Sequence, residues 1–110
     1  MKKYEIVKNN RDFNSIINNG KILKNKYYSV YFEDNYLDYA KFGIAVSKKI
    51  GNAVCRNKFK RQIRMIVNNN KKVFPIGKNY IIMVKRELCN VSFDVREKKL
   101  IELFMREDIK

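Results

Sequence analysis

The chemistry-bearing residues of this chain are densest in Ser47–Arg64, SKKIGNAVCRNKFKRQIR. Seven of these eighteen side chains are Lys or Arg, and none is acidic. A guanidinium group grips two phosphate oxygens at once and an ammonium acts as a point charge, so the stretch suits a polyanion. The clearing of acids extends well beyond it. No Asp or Glu stands between Asp38 and Glu87, an interval that holds thirteen Lys or Arg. Codon bias could raise lysine everywhere, but it would not remove carboxylates from the middle of a chain. A net charge of +14 over 110 residues repels itself, and a polyanionic partner offsets that repulsion. Nucleic acid is the first candidate and an anionic membrane surface the second.

Catalytic groups are sparse by comparison. The chain has no histidine, which excludes His-based acid–base and nucleophilic chemistry. The acid-free interval offers no carboxylate to hold Mg2+ as a nuclease site would. Glu33, Asp34 and Asp38 read as a hydrated loop. Cys55 and Cys89 lack CxxC or metal-ligand spacing and read as two buried thiols in a reducing cytoplasm. No residue is assigned to catalysis or to a metal. No apolar run approaches the roughly 20 residues of a membrane span, and MKKYEIVKNN has no apolar signal-peptide core. The expectation is a cytoplasmic protein with no membrane association. Nothing predicts a protein partner.

The elements that must position the basic segment follow from periodicity. NNRDFNSIINNG predicts a short helix, capped by Asn9 or Asn10 and stopped at Gly20, with Phe13, Ile16 and Ile17 on one side. Lys26–Glu33 and Lys41–Ser47 read as strands, with a short additional strand at Lys21–Leu23. Tyr27, Ser29 and Tyr31 share one face of their strand, and Tyr28, Val30 and Phe32 the other. The basic segment forms a helix ending near Asn68–Asn70. NNNKK and Pro75 mark a loop. Asn79–Arg86 reads as a strand buried on both sides, and SFDVREKKLIELFMRE as a helix burying Phe93, Leu100, Ile101 and Phe104. The fold class is α+β, a two-layer sandwich in α-β-β(β)-α-β-α order with helices on one mixed sheet. Residues 1–110 read as a single domain.

Helical spacing of 100° per residue divides the basic segment into two arcs. Cys55, Phe59, Ile63 and Ile66 span about 80°, with Val67 just beyond, as a core stripe. Lys60, Arg64, Asn57 and Arg61 occupy the next arc of about 100°. Arg56 sits at the seam, where its stem covers apolar surface while its head reaches outward. Asn52 is the natural N-cap. The first turn has no acid to offset the helix dipole, and Lys48 and Lys49 precede it.

KKIGNAVCRNKFKRQIR also resembles the signature of the bacterial ribonuclease P protein component. That pattern runs Lys-x-x-Gly-x-Ala-Val-x-Arg-Asn-x-x-Lys-Arg-x-x-Arg. It is matched at Lys48, Gly51, Ala53, Val54, Arg56, Asn57, Lys60, Arg61 and Arg64. NNRDF, Gly20, the aromatic strand, FGIAVSK and YIIMVKR follow in the family's order, so the resemblance covers roughly the whole chain. It implies a left-handed β-α-β crossover, against the usual rule. It also implies a protein subunit of the ribozyme that removes the 5′ leader from precursor tRNA. The catalytic chemistry and most of the Mg2+ would lie in the RNA. The implied partners are ribonuclease P RNA, through Lys48, Lys49, Asn52, Arg56, Asn57, Lys60, Arg61 and Arg64, and the precursor leader. The leader would enter a cleft at Phe13, Ile17 and Tyr31, with Tyr27 as an additional aromatic because Ile17 stands where the family often has one. For Phe13, core packing is an equal expectation. The main alternative function is a ribosomal RNA-binding protein of similar fold. A self-sufficient endonuclease and a membrane-surface binder are weaker alternatives.

Overall fold

A computed structural model describes residues 2–7 and 10–105. The expected cap at Asn9 and the end of the last helix, beyond Met105, lie outside the described residues. Helix α1 spans Asn10–Asn19, followed by strands β1 (Lys21–Lys24), β2 (Tyr28–Asp34) and β3 (Lys41–Ala45). Helix α2 spans Ala53–Asn69, strand β4 Lys78–Val84 and helix α3 Phe93–Phe104. Short 3-10 turns occur at Lys3–Glu5, Lys71–Val73 and Arg86–Asn90. The sheet order is β1-β2-β4-β3. β2 runs antiparallel to both β1 and β4, while β3 runs parallel to β4. Helix α2 is therefore the crossover between two adjacent parallel strands.

The apolar run of β4 has a central place because it has neighbours on both edges and both faces. Tyr80, Ile82 and Val84 point into the larger core with Tyr28, Val30 and Phe32 of β2 and with α2 and α3. Ile81 points to the opposite face, where Val7 and Ile16 form a smaller core under α1. The strand alternation puts α1 on one side of the sheet and α2 with α3 on the other. The two largest enclosed polar side chains are satisfied. Tyr28 Oη donates to the Arg96 carbonyl at 3.0 Å and Tyr80 Oη to the Pro75 carbonyl at 2.7 Å. Burial raises the pKa of both hydroxyls.

Several side-chain placements differ from expectation, among them Phe93, which is half-buried instead of buried. Leu103 of α3 is buried and Ile101 only half-buried, because α3 meets both the sheet and Phe74, whose ring lies edge-on to Phe104 at 4.4 Å. Cys55 is half-buried and Cys89 exposed, and both thiols are free, so the pair is not buried. Cys89 stands in the 3-10 turn, which turns it outward to solvent. The segment before α1 is also more structured than its composition suggests. Ile6 bridges Phe42 in parallel fashion, extending the sheet beyond β3.

Candidate RNA interface

Helix α2 begins where the sequence places it. Asn52 adopts extended backbone geometry and its Oδ1 accepts the Cys55 N–H at 2.9 Å, a cap worth about 1 kcal/mol. The Asn52 carbonyl takes the Arg56 N–H at 2.9 Å. Gly51 suits the close packing here. A Cβ added to it would stand 3.0 Å from both Cβ and Sγ of Cys55. Val54 is 79% exposed and the first turn holds no acid, so the positive end of the helix opens to solvent.

The core stripe of α2 is realised. Phe59, Ile63, Ile66 and Val67 are buried against the sheet and α3. The stripe fixes which way the basic arc faces. Asn57, Arg61 and Arg64 are exposed, Arg56 and Lys60 half-buried, and Lys48, Lys49 and Asn52 exposed in the preceding turn. That turn is set by the Ile50 N–H to the Ser47 carbonyl at 3.0 Å and the Lys49 N–H to Ser47 Oγ at 3.2 Å. Among the described residues, none of these Lys or Arg side chains has an ion pair or hydrogen bond. Ion pairs form away from the arc, with Glu5 on Lys71, Asp34 on Lys78 and Glu102 on Lys99. Lys78 holds the Asp34 carboxyl below its usual range by hydrogen bonding and charge. The basic arc is thus left with its full charge facing outward.

Arg96 of α3 braces α2 from behind. Its guanidinium lies 4.6 Å from the Phe59 ring centroid, donates to Gln62 Oε1 at 2.6 Å and to the Leu88 carbonyl at 3.2 Å. Gln62 and Phe59 belong to α2, so one side chain ties the basic helix to α3 and to the 3-10 turn before it.

The second surface lies on the other face of the sheet. Phe13, Ile17 and Tyr31 come together there, half-buried, with Ala45 and Met83. Gly43 makes room for this grouping. A Cβ at that position would stand 2.6 Å from Phe13 Cζ and 2.8 Å from Ile81 Cδ1. Phe13 therefore packs on the sheet while keeping part of its ring accessible. Met83 and Ala45 were not foreseen as members, although period-2 alternation from Ile81 and Gly43 puts them on that face.

Tyr27 does not join the group. Asn25 Oδ1 accepts the N–H groups of both Tyr27 and Tyr28 at 2.8 Å. This turn delays the regular strand to Tyr28, and Tyr27 packs on the larger core beside Lys99 and Leu103 of α3. Strand β3 connects the two surfaces. Ala45 ends it within the aromatic group, and Lys48 begins the basic turn three residues later.

Comparison with known proteins places this arrangement. A protein-family model described as Ribonuclease P matches residues 1–108. The chain belongs to the ribonuclease P protein family. Its relatives include the ribonuclease P protein component of Mycoplasma mycoides, 44% identical over 104 residues, which cover 94% of this chain and 95% of the relative. The component from Thermotoga maritima is 40% identical over 100 residues, covering 87% of this chain and 86% of the relative. The solved ribonuclease P protein from Thermotoga maritima superimposes with a TM-score of 0.86 at 37% identity, covering 94% of this chain and 98% of that one. Membership of the ribonuclease P protein family sets aside the ribosomal alternative.

Proposed function

We propose that this chain is the protein subunit of a ribonuclease P holoenzyme acting in the cytoplasm. The arc of α2 and its preceding turn contact the catalytic RNA. The aromatic face beneath α1 receives the single-stranded 5′ leader of precursor tRNA, and the holoenzyme releases the mature 5′ end. The observation that carries this reading is the set of unpaired cations on α2, oriented outward by a well-packed apolar stripe. Such a ladder matches phosphates spaced along a backbone and releases their counterions on binding. Phe13 and Tyr31 suit unpaired bases, since base–aromatic stacking contributes about 1–3 kcal/mol per base whatever the sequence.

Hydrolysis is assigned to the RNA. What supports this is the sequence: the chain has no histidine, and no carboxylate stands between Asp38 and Glu87, the interval that contains the basic helix. The chain's part is to bind, orient and neutralise. Reconstitution tests this directly: precursor tRNA and the ribonuclease P RNA at low Mg2+, with and without the protein. The protein should raise cleavage efficiency. No increase at any salt concentration would overturn the proposal.

A further inference from the structure

The segment before α1 is held by a clasp that leader and helix contacts alone would not require. Glu5 is the one buried charged residue among those described. Lys71 Nζ donates to its two carboxylate oxygens at 2.8 and 2.9 Å, and the Lys2 N–H donates to Oε1 at 3.1 Å. Lys71 stands in the 3-10 turn directly after α2. The clasp therefore fastens the N-terminal strap to the far end of the basic helix. The Val7 N–H to the Phe42 carbonyl at 2.9 Å holds the strap's other end.

Between strap and helix runs a groove of about 460 Å³, lined by Ile6, Arg61, Arg64, Met65, Asn68 and Asn69. The helical members follow i, i+3, i+4, i+7 and i+8 spacing, which forms one stripe. Arg61 and Arg64 belong to the unpaired ladder. Met65 is 48% exposed despite its apolar side chain.

We propose that this groove takes an unpaired nucleotide of the partner RNA, and that the Glu5–Lys71 pair holds the strap in place to form it. The inference rests on α2 being the RNA-binding helix. The two guanidinium groups supply phosphate donors. Met65 and Ile6 offer apolar surface to a base face, and the two amides offer both donors and acceptors to a base edge. A duplex would satisfy the arginines but keep its base faces stacked, leaving the apolar surface unused. Recognition of unpaired RNA uses base faces and edges together.

The test is 2′-hydroxyl acylation probing of ribonuclease P RNA bound to the full chain. Wild type is compared with Met65→Glu, Glu5→Gln and Arg56→Ala. Met65→Glu alters an exposed side chain and should leave the fold intact by circular dichroism. It should restore reactivity at one or two unpaired nucleotides while the rest of the footprint persists. Affinity should fall roughly five-fold or more, the lower end of a base-stacking contribution. Glu5→Gln should release the same nucleotides. Unchanged reactivity with Met65→Glu, or changes confined to paired helices, would overturn the groove assignment. If Arg56→Ala weakens binding while Met65→Glu has no effect, only the groove fails. If Arg56→Ala and Met65→Glu both bind with wild-type affinity and footprint, the RNA-binding role of α2 fails and the groove with it.

Discussion

Arg56 shows how one residue can serve both fold and partner. Its backbone N–H closes the first turn of α2 on the Asn52 carbonyl, while its half-buried side chain has no partner among the described residues. Arg56→Ala or Arg64→Ala should weaken RNA binding and lower the slope of log affinity against log salt by about one counterion for each lost phosphate contact. Filter binding across a salt series reads this, and an unchanged slope would make the side chains solvated surface. Phe13→Ala separates two roles in another way. Loss of a stacked base should weaken precursor binding by about 1–3 kcal/mol while sparing mature tRNA. Equal losses for both RNAs would mean that its packing over Gly43 is all that matters. The cations were legible in the sequence because charge and spacing alone define them. The position of Tyr27 was not, since it depends on Asn25 Oδ1 capturing two N–H groups, a local side-chain choice that alternation cannot register.

The elements act through their packing more than through their propensities. α2 owes its direction to four buried apolar residues and to the brace from Arg96. Replacing Arg96 with Met keeps bulk but removes the bonds to Gln62 and Leu88 and the stacking on Phe59. It should destabilise the protein by about 1–3 kcal/mol, measured by urea denaturation. RNA affinity should also fall while the salt slope stays that of wild type, because the Arg96 guanidinium is already engaged by Gln62, Leu88 and Phe59. A reduced slope would instead mean direct contact with RNA. The amphipathic stripe of α2 and the doubly buried run of β4 were readable from periodicity, which reports how much of an element is covered. Periodicity does not report by what. The strap was missed for that reason: Lys2–Val7 has no period of its own and is ordered by Phe42, Lys71 and the floor beneath α1, all distant in sequence.

Across the whole molecule, charge is sorted in space. The acid-free interval includes all of β3, α2 and β4, so the cations of α2 have no carboxylate near them in sequence to offset their repulsion. Any anion that binds the folded state stabilises it by linkage. Pyrophosphate should therefore raise the melting temperature more than chloride at matched ionic strength, and should do so less in Arg61→Ala combined with Arg64→Ala. Equal shifts for both salts would indicate general screening alone. Composition announced this imbalance, and the α+β class was legible from the order of periods, but the placement of α1 opposite the other helices required the pairing of strands. That pairing also bears on how the chain is made. β2 and β3 are consecutive in sequence yet do not pair, and the slot between them is filled by β4. A nascent chain released only as far as Val73 has both flanks of its sheet and no middle. Its cationic helix is complete before the central strand under it exists, so the sheet can close only once β4 has been made, and the unpaired cations of α2 are the part of the fold that waits longest for its floor.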